Sequence, residues 1–382
     1  MRKTITIGDL GTIITGKTPP TTNKNYYGDY AVFIKPTDIS EQCKYTYETE
    51  EMYSKLAAEK YESSLIPKGA ICVPCIGTIG TKMTMAPCDC YTNQSINSIV
   101  CNENFDNEYV YYLIKNFLPG LKSYNLGTAS GREYVSKSNF EKIELVAELD
   151  KETQKKIGAF LSRYDSLIEN YQKQIKLLEE AAQRLYKEWF VDLRFPDHEN
   201  TKIVDGVPEG WELSKLGSLA EFKRGKTITK KDIVDGSIPV VAGGLEPAYY
   251  CNKSNTAERV ITVSGSGANA GFTRMYFEKV WASDCSYMDL ETTPFLHFVY
   301  CYLKDNKTTI DNMQKGAAQP HVYAKDINAM ELCIPPEDVL ITFERNVSKC
   351  FNSISSLQSQ IHLLTEARDR LLPKLMSGEI AV

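Results

Sequence analysis

The sequence lacks any long apolar run. The longest, FLHFVYCYL from Phe295 to Leu303, is far shorter than the roughly 20 residues that a membrane-spanning helix needs. The N-terminal stretch MRKTITIGDLGTI carries two basic residues but no apolar core of the kind found in export signals. These two absences predict a soluble, cytoplasmic protein with no membrane partner.

A disulfide framework and low-complexity tracts are also missing. The 11 cysteines are an odd number scattered over both halves of the chain, which favours reduced thiols over structural disulfides. Apolar residues make up 42% and charged residues 24% of the 382 residues, an ordinary globular composition. Because this length exceeds what one hydrophobic core usually supports, two or three domains are expected.

Positive charge is in short supply. The formal net charge is -5 and the sequence pI is about 5.6. These values argue against a protein that coats nucleic acid through charge alone, since such binding neutralises phosphates. Nucleic-acid binding would then need local basic patches, such as FKRGKTITKK from Phe222 to Lys231, together with phosphate contacts from partner chains.

What the sequence does contain is an internal repeat. The segment QIKLLEEAAQRL from Gln174 matches QIHLLTEARDRL from Gln360, 186 residues later. EYVYYLIKN from Glu108 matches HFVYCYLKD from His297, and LGTIITGKT near the N-terminus corresponds to LGSLAEFKRGKT in the second half. Because the order of the matched blocks is kept, the chain reads as module, helix, module, helix.

Both copies end in a stripe of mostly apolar residues at alternating steps of three and four, which is coiled-coil spacing. The same register over two long segments favours two paired antiparallel helices over two unrelated amphipathic ones. At ~1.5 Å per residue, each stripe spans about 42 Å, near one turn of B-DNA at ~34–36 Å. The first stripe comprises Leu161, Tyr164, Ile168, Tyr171, Ile175, Leu178, Ala182, Leu185 and Trp189, and the second comprises Val347, Cys350, Ile354, Leu357, Ile361, Leu364, Arg368, Leu371 and Leu375. Arg368 is the one charged residue in the two stripes.

The modules are predicted to be β-rich α+β domains. Short runs such as GAICVPCIGTIG and ERVITVSGSGANAGF are bounded by Gly, Pro and Asn. The whole chain is then an α+β protein with two such domains, two long antiparallel coiled-coil helices and a pseudo-twofold repeat. The predicted boundaries are 1–150 for the first domain, 151–193 for the first helix, 194–210 for a linker, 211–337 for the second domain and 338–378 for the second helix.

With these blocks in place, the chain resembles the specificity subunits of type I restriction-modification systems. The match spans nearly the whole chain, and it includes LIPKGAICVPCIGTIGTK from Leu65, YTNQSINSIV, LYKEWFVDLRFP from Leu185 and VPEGWELSKLG opening the second half. Two departures stand out. The first module lacks the Gly210-Trp211 opening of the second, and Leu340 replaces Gln154 at the second helix entry, which warns that the two partner interfaces differ.

The resemblance implies that two target-recognition domains each read one half of a split, asymmetric double-stranded DNA site. It also implies that the helices set the spacing and dock two methyltransferase subunits, with restriction and translocase subunits joining that core. On this view the chain is not an enzyme. It binds no cofactor and no metal, because partner subunits use S-adenosylmethionine, ATP and Mg.

Candidate DNA-contacting residues lie in loops of the two modules. KGAAQPHVYAKD in the second copy aligns with LGTASGREYVSK in the first, and both carry donors that suit base edges. Solvated loop residues are the alternative interpretation. The candidates in these two loops are Arg132, Lys137, Gln319, His321 and Lys325, and basic candidates elsewhere are Lys17, Lys82, Lys223, Arg224, Lys226 and Arg274.

A phosphate-binding loop is the first competing motif. Gly11, Gly16, Lys17 and Thr18 fit the spacing of that loop, which holds phosphates at a helix N-terminus. Two prolines follow directly, so the required helix is not expected. The glycines of SGSGANAG do not have dinucleotide-loop spacing either, and they predict a turn.

A zinc site is the second competing motif. Cys72, Cys75, Cys88 and Cys90 form CxxC and CxC pairs near zinc-ligand spacing. ICVPCI reads as a buried strand, in which residues three apart face opposite sides. Two other functional classes stay open, an adaptor protein built on the coiled coil and an ATP-using enzyme built on the Gly-Lys-Thr loop.

Overall fold

A computed structural model describes residues 2–127, 131–229, 233–316 and 320–382. The chain divides into two compact units. Unit 1 contains Met1–Tyr171 with Ser359–Val382, and unit 2 contains Gln172–Gln358. Each unit therefore combines one module with a part of both long helices, whereas the predicted boundaries separate modules from helices.

Unit 1 is built on a four-stranded antiparallel sheet with the strand order Gly11–Thr15, Ile96–Cys101, Ile71–Pro74, Thr84–Met85. A second sheet has the order Tyr27–Gly28, Met52–Tyr53, Ala31–Ile34, Tyr91–Thr92, and its last pair is parallel. Strand Arg2–Thr6 pairs with Glu144–Glu148. The shorter helices are Ile7–Leu10, Lys55–Lys60, Asn107–Phe117 and Lys137–Glu141, with 3-10 turns at Lys24–Tyr26, Glu62–Ser64 and Leu118–Tyr124.

Unit 2 repeats this plan. Its antiparallel sheet has the order Lys223–Arg224, Cys285–Asp289, Val260–Ser264, Thr273–Tyr276. A three-stranded sheet has the order Tyr249–Cys251, Ile238–Val241, Trp281–Ala282, again with one parallel pair. Strand Glu212–Lys215 pairs with Glu331–Ile334. The shorter helices are Leu216–Leu219, Leu296–Asp305, Lys307–Asn312 and Ala324–Asn328, with a 3-10 turn at His198–Asn200.

The matching strand orders confirm the predicted repeat and the mixed α+β class. Strand Ile71–Pro74 is buried at all four positions, which explains its unbroken apolar sequence. Strand Arg2–Thr6 takes the place in unit 1 that Glu212–Lys215 takes in unit 2. The first module therefore opens with the same strand pair although it lacks the Gly-Trp signal.

Two long helices cover Lys151–Tyr186 and Glu337–Ser377, and a π-helical turn at Lys187–Val191 extends the first. Every stripe residue of both is buried or half-buried. Within unit 2 the two helix segments run in opposite directions, since the Tyr186 ring lies 6.3 Å from the Phe343 ring while Glu179 shares a cavity with Gln358. Coiled-coil pairing along the full length of the helices stays a prediction.

The segment predicted as a linker folds onto unit 2. Phe195 is buried, and its ring lies 4.8 Å from that of Trp211. Ile203–Val204 and Val207–Pro208 form a short hairpin. The polar composition predicted a linker, and two large aromatic residues at its ends bury apolar surface and hold it against unit 2.

The residues that differ at the helix entries are internal. Gln154 is fully buried, accepts a hydrogen bond from the Asp106 backbone N–H (2.9 Å) and donates one to the Glu148 carbonyl (2.8 Å). Leu340 is 2% exposed and lies in the core of unit 2. The exchange therefore reflects two ways of filling a core, and it gives no reason to expect different partner interfaces.

Candidate functional site

One end of the antiparallel four-stranded sheet gathers three basic candidates of unit 1, Lys17, Lys82 and Arg132. Strand Gly11–Thr15 ends where Ile96–Cys101 begins, because Thr15 pairs with Asn97 in an antiparallel register. Lys17 follows the first of these strands. Lys82 lies in the loop between Ile71–Pro74 and Thr84–Met85, at the same end of the sheet.

The loop that contains Arg132 is tied to this end. The Gly77 N–H donates to the Glu133 carbonyl (3.0 Å), and the Val135 N–H donates to the Cys75 carbonyl (2.8 Å). The Ile79 N–H donates to a carboxylate oxygen of Glu133 (3.1 Å). The structure therefore brings Arg132, which is exposed, to the sheet end with Lys17 and Lys82.

Unit 2 has the same arrangement. The Gly267 N–H donates to the Pro320 carbonyl (3.0 Å), and the Val322 N–H donates to the Gly265 carbonyl (3.1 Å). These bonds hold His321 beside the SGSGANAG turn, and Lys226 follows the strand Lys223–Arg224 at the same end. Two copies of one loop arrangement thus lie at equivalent places in the two units.

The glycines of the two Gly-Lys-Thr segments allow close backbone approach. The Lys17 N–H donates to the Thr92 carbonyl, and the Lys226 N–H donates to the Ala282 carbonyl, both at 2.9 Å. A β-carbon at Gly16 would lie 2.2 Å from the Thr92 oxygen, and one at Gly225 would lie 2.3 Å from the Ser283 oxygen. No helix follows either segment among the residues described there, so neither has the geometry of a phosphate-binding loop.

Aromatic side chains fix the carbonyls of the two lysines. The Tyr53 hydroxyl donates to the Lys17 carbonyl, and the Trp281 indole N–H donates to the Lys226 carbonyl (2.7 Å). Both lysine side chains are exposed. A clamped backbone with an exposed ammonium group suits a contact to a phosphate at a fixed position.

The other candidates differ in how available they are. Lys223, Arg224 and Lys325 are exposed, and Lys137 is exposed with its ammonium 3.6 Å from Glu141. Arg274 is half-buried and donates to the Leu245 carbonyl (2.9 Å), so part of its guanidinium is already engaged. Gln319 lies outside the described residues.

The loop pairing shifts the predicted alignment by two residues. The Leu126 N–H donates to the Tyr134 carbonyl, and the Lys315 N–H donates to the His321 carbonyl. His321 therefore takes the place of Tyr134 and not of Arg132. His321 is half-buried, and its ring is stacked on that of Tyr323 with centroids 5.9 Å apart.

Three basic residues near these sheet ends were missed by the sequence analysis. Lys122 packs against the Gly80 turn, where its Cγ lies 3.0 Å from the position of an added β-carbon. Lys253 lies with its ammonium 5.2 Å from the Trp281 ring, and Lys315 is the backbone partner of His321. They come from separate parts of the sequence, so no local pattern groups them with the site.

Three of the four cysteines in the CxxC and CxC pairs are buried in unit 1. Cys72 and Cys75 are buried, and burial raises the pKa of these thiols to about 11 and about 12. Cys90 is also buried, whereas Cys88 is exposed. Within the described ranges, no group of three or more His, Cys, Asp or Glu residues is arranged to hold a metal ion.

One protein family matches sequence in both units. The family model described as the type I restriction modification DNA specificity domain matches residues 2–180 and 208–341. The chain belongs to the type I restriction-modification specificity family. The two matched stretches each contain one wholly antiparallel four-stranded sheet and one Gly-Lys-Thr segment.

Relatives and a solved structure agree with this family. The chain is 28% identical to the type I restriction enzyme MjaIX specificity subunit of Methanocaldococcus jannaschii, over 98% of this chain and 93% of that protein. It is 38% identical to the HindI specificity subunit of Haemophilus influenzae over 37% of this chain and 30% of that protein. The crystal structure of an S subunit from M. genitalium matches with a TM-score of 0.58 at 17% identity, covering 98% of this chain and 96% of that chain.

Among the residues that the structure describes, no helix is long and apolar enough to span a bilayer.

Proposed function

We propose that this specificity subunit supplies the DNA address of a type I restriction-modification complex, each module reading one half of a split, asymmetric site. The duplicated sheet end carries this proposal, because it presents two similar basic surfaces on two similar scaffolds. A duplicated reader with different side chains in its two loops suits a site whose halves differ in sequence.

Within each sheet end we assign two kinds of contact. Lys17 and Lys226, on clamped backbone, contact phosphates and position the module. The loops that contain Arg132 and His321 contact base edges, where side-chain donors and acceptors discriminate between base pairs. The remaining basic candidates contribute to the local positive field that the acidic chain as a whole lacks.

The long helices act as spacer and as docking surface for two methyltransferase subunits, to which restriction and translocase subunits add. The buried stripe residues, such as Leu161 and Ile354, are occupied in packing within the units and are not available to a partner. We therefore assign docking to the exposed faces, where Leu167, Leu177 and Leu363 are 45%, 63% and 62% exposed. The partner subunits use S-adenosylmethionine, ATP and Mg, and this chain contributes no catalytic group.

The phosphate assignment is tested by Lys17→Ala and Lys226→Ala in the complex with its methyltransferase. Each loss should weaken duplex DNA binding about equally on all sequences and reduce the slope of log K against log salt by about 1. Titrations by fluorescence anisotropy at several salt concentrations measure both quantities.

The control is Lys202→Ala, an exposed lysine in the hairpin between the modules, which should leave the slope unchanged. Slopes that stay at the wild-type value in both test variants would remove these lysines from the interface. A wild-type complex with no salt-dependent DNA binding would favour the adaptor alternative.

A further inference from the structure

A buried charged network lies inside unit 1. Asp165 of the first long helix and Arg368 of the second are each 3% exposed. The Arg368 guanidinium donates to one carboxylate oxygen of Asp165, and the Tyr112 hydroxyl donates to the other. Both oxygens of the carboxylate thus have a partner, and its charge is neutralised where water is excluded.

The two donors of the network keep their protons. Burial and the nearby Asp165 charge raise the pKa of Tyr112, so its phenol stays neutral and donates. Burial alone would lower the pKa of Arg368, but the attraction of Asp165 and Asp369 outweighs it and raises that pKa. The Tyr112 hydroxyl and the Arg368 guanidinium therefore both act as donors to the Asp165 carboxylate.

The three equivalent positions of unit 2 carry no charged residue. By the repeat offset, Ala182 is the stripe residue equivalent to Arg368. By the match of the shorter helices, Cys301 is the residue equivalent to Tyr112. All three counterparts are buried in the core of unit 2. The counterparts of Tyr112, Asp165 and Arg368 are, in that order, Cys301, Phe351 and Ala182.

This difference matters because the two stripes share one register. If the first helix of one copy paired with the first helix of another copy, Ala182 of the other copy would take the place of Arg368 beside Asp165. Asp165 would then be buried without the guanidinium that donates to it, which is unfavourable. A second helix paired with another second helix would likewise place Arg368 against Phe351.

We propose that the Tyr112, Asp165 and Arg368 network is a pairing selector that makes a first helix associate with a second helix and not with another first helix. Buried polar groups at coiled-coil positions set partner choice and register in this way. Each assembly then holds one copy of each module. For its effect on DNA recognition the inference rests on the proposed function, since an asymmetric site requires two different modules.

The test is a transplant that replaces the three residues of the network by their unit 2 counterparts, with Tyr112→Cys, Asp165→Phe and Arg368→Ala. Two differently tagged copies of the full chain are expressed together with the neighbouring methyltransferase. Sequential affinity purification measures the share of complexes that carry both tags, and modified-base sequencing of the cellular DNA reads the motif. The matched control is Arg370→Ala, an exposed arginine two positions further along the same helix.

Wild type and the control should give background mixing and one split, asymmetric motif. The transplant should raise mixing by about tenfold or more, the ratio that corresponds to ~1.4 kcal/mol of lost selectivity. It should also add a symmetric motif made of one half-site twice. A transplant that folds with the wild-type melting temperature, mixes at background and keeps the wild-type motif would overturn the selector.

If the transplant does not fold, the pair Asp165→Leu with Arg368→Leu is judged by the same two readouts. A wild-type chain that yields no motif would defeat the proposed function. The tag-mixing measurement would still decide the inference in that case, because it does not depend on DNA recognition.

Discussion

Arg368 is a charged residue at a buried stripe position where the pattern predicts an apolar one. In the sequence it interrupts an otherwise apolar stripe, and the adjacent Asp369, which pairs with it, is exposed and does not account for its burial. The structure supplies Asp165 and Tyr112, which come from two other parts of the chain. The stripe could be predicted because it is periodic. The partners of its exception could not, because they depend on tertiary packing.

Removing one member of this network should be costly. Arg368→Leu leaves the buried Asp165 carboxylate without its guanidinium partner, so we expect a loss of about 3–5 kcal/mol in the free energy of unfolding. Tyr112→Phe, Asp165→Leu and Arg368→Leu together should be close to neutral, because the ion pair is removed as a whole. Urea unfolding measures both changes.

The control for this experiment is Arg370→Leu, whose side chain is 78% exposed and paired with Glu366 on the surface. Its effect should stay within about 0.5 kcal/mol. Equal losses for the Arg368 and Arg370 variants would contradict the buried ion pair.

Gly16 illustrates a misleading motif. Its neighbours fit a phosphate-binding loop, yet the structure uses the missing side chain to let two backbones meet. Gly16→Ala should destabilise unit 1 by about 1–3 kcal/mol, as overpacking typically does. Thermal unfolding compared with Gly244→Ala, whose nearest neighbour lies at 3.3 Å, measures the difference. If the two variants prove equally stable, the close approach at Thr92 is wrong.

Among the elements, the long helices were the most predictable. Their heptad spacing gave both helices, and the structure begins them at Lys151 and Glu337 against predicted starts of 151 and 338. The α-helical part of the first long helix ends earlier than predicted, at Tyr186, because the chain passes into a π-helical turn. Hydrophobic periodicity carries no signal for such a turn, since it changes the hydrogen bonding and not the apolar pattern.

The start of the first long helix should depend on pH. The Asp150 carboxylate accepts hydrogen bonds from the Thr153 hydroxyl (2.6 Å) and backbone N–H (2.9 Å), and these bonds lower its pKa below the ordinary value of 3.8. A lowered pKa means that Asp150 stabilises the fold above about pH 4 and loses this effect as the pH falls through its folded-state pKa. Asp150→Ala should therefore lower the melting temperature at pH 7, and the difference from wild type should shrink in acid.

Asp150→Asn is the control, because asparagine caps helices but does not titrate. Its melting temperature should stay above that of Asp150→Ala at every pH. A constant gap between wild type and Asp150→Ala down to pH 3 would show that the carboxylate charge does not contribute.

At the scale of the whole molecule, the repeat, the two β-rich modules and the family could be predicted from the sequence. It did not show that Lys17, Lys82 and Arg132 meet at one end of a sheet, because strand order and loop pairing join residues from distant positions. It also misaligned His321 by two residues, since only the backbone hydrogen bonds fix the register of the two loops. Periodic features were therefore predictable, and the composition of the site was not.

We propose that this chain gives a methyltransferase its DNA address. Modified-base sequencing of DNA tests it most directly, in cells that express the chain with its neighbouring methyltransferase and in cells that lack only the chain. We expect a split, asymmetric methylated motif that is present only with the chain. An active methyltransferase that produces no chain-dependent motif, or the same motif in both strains, would contradict the claim.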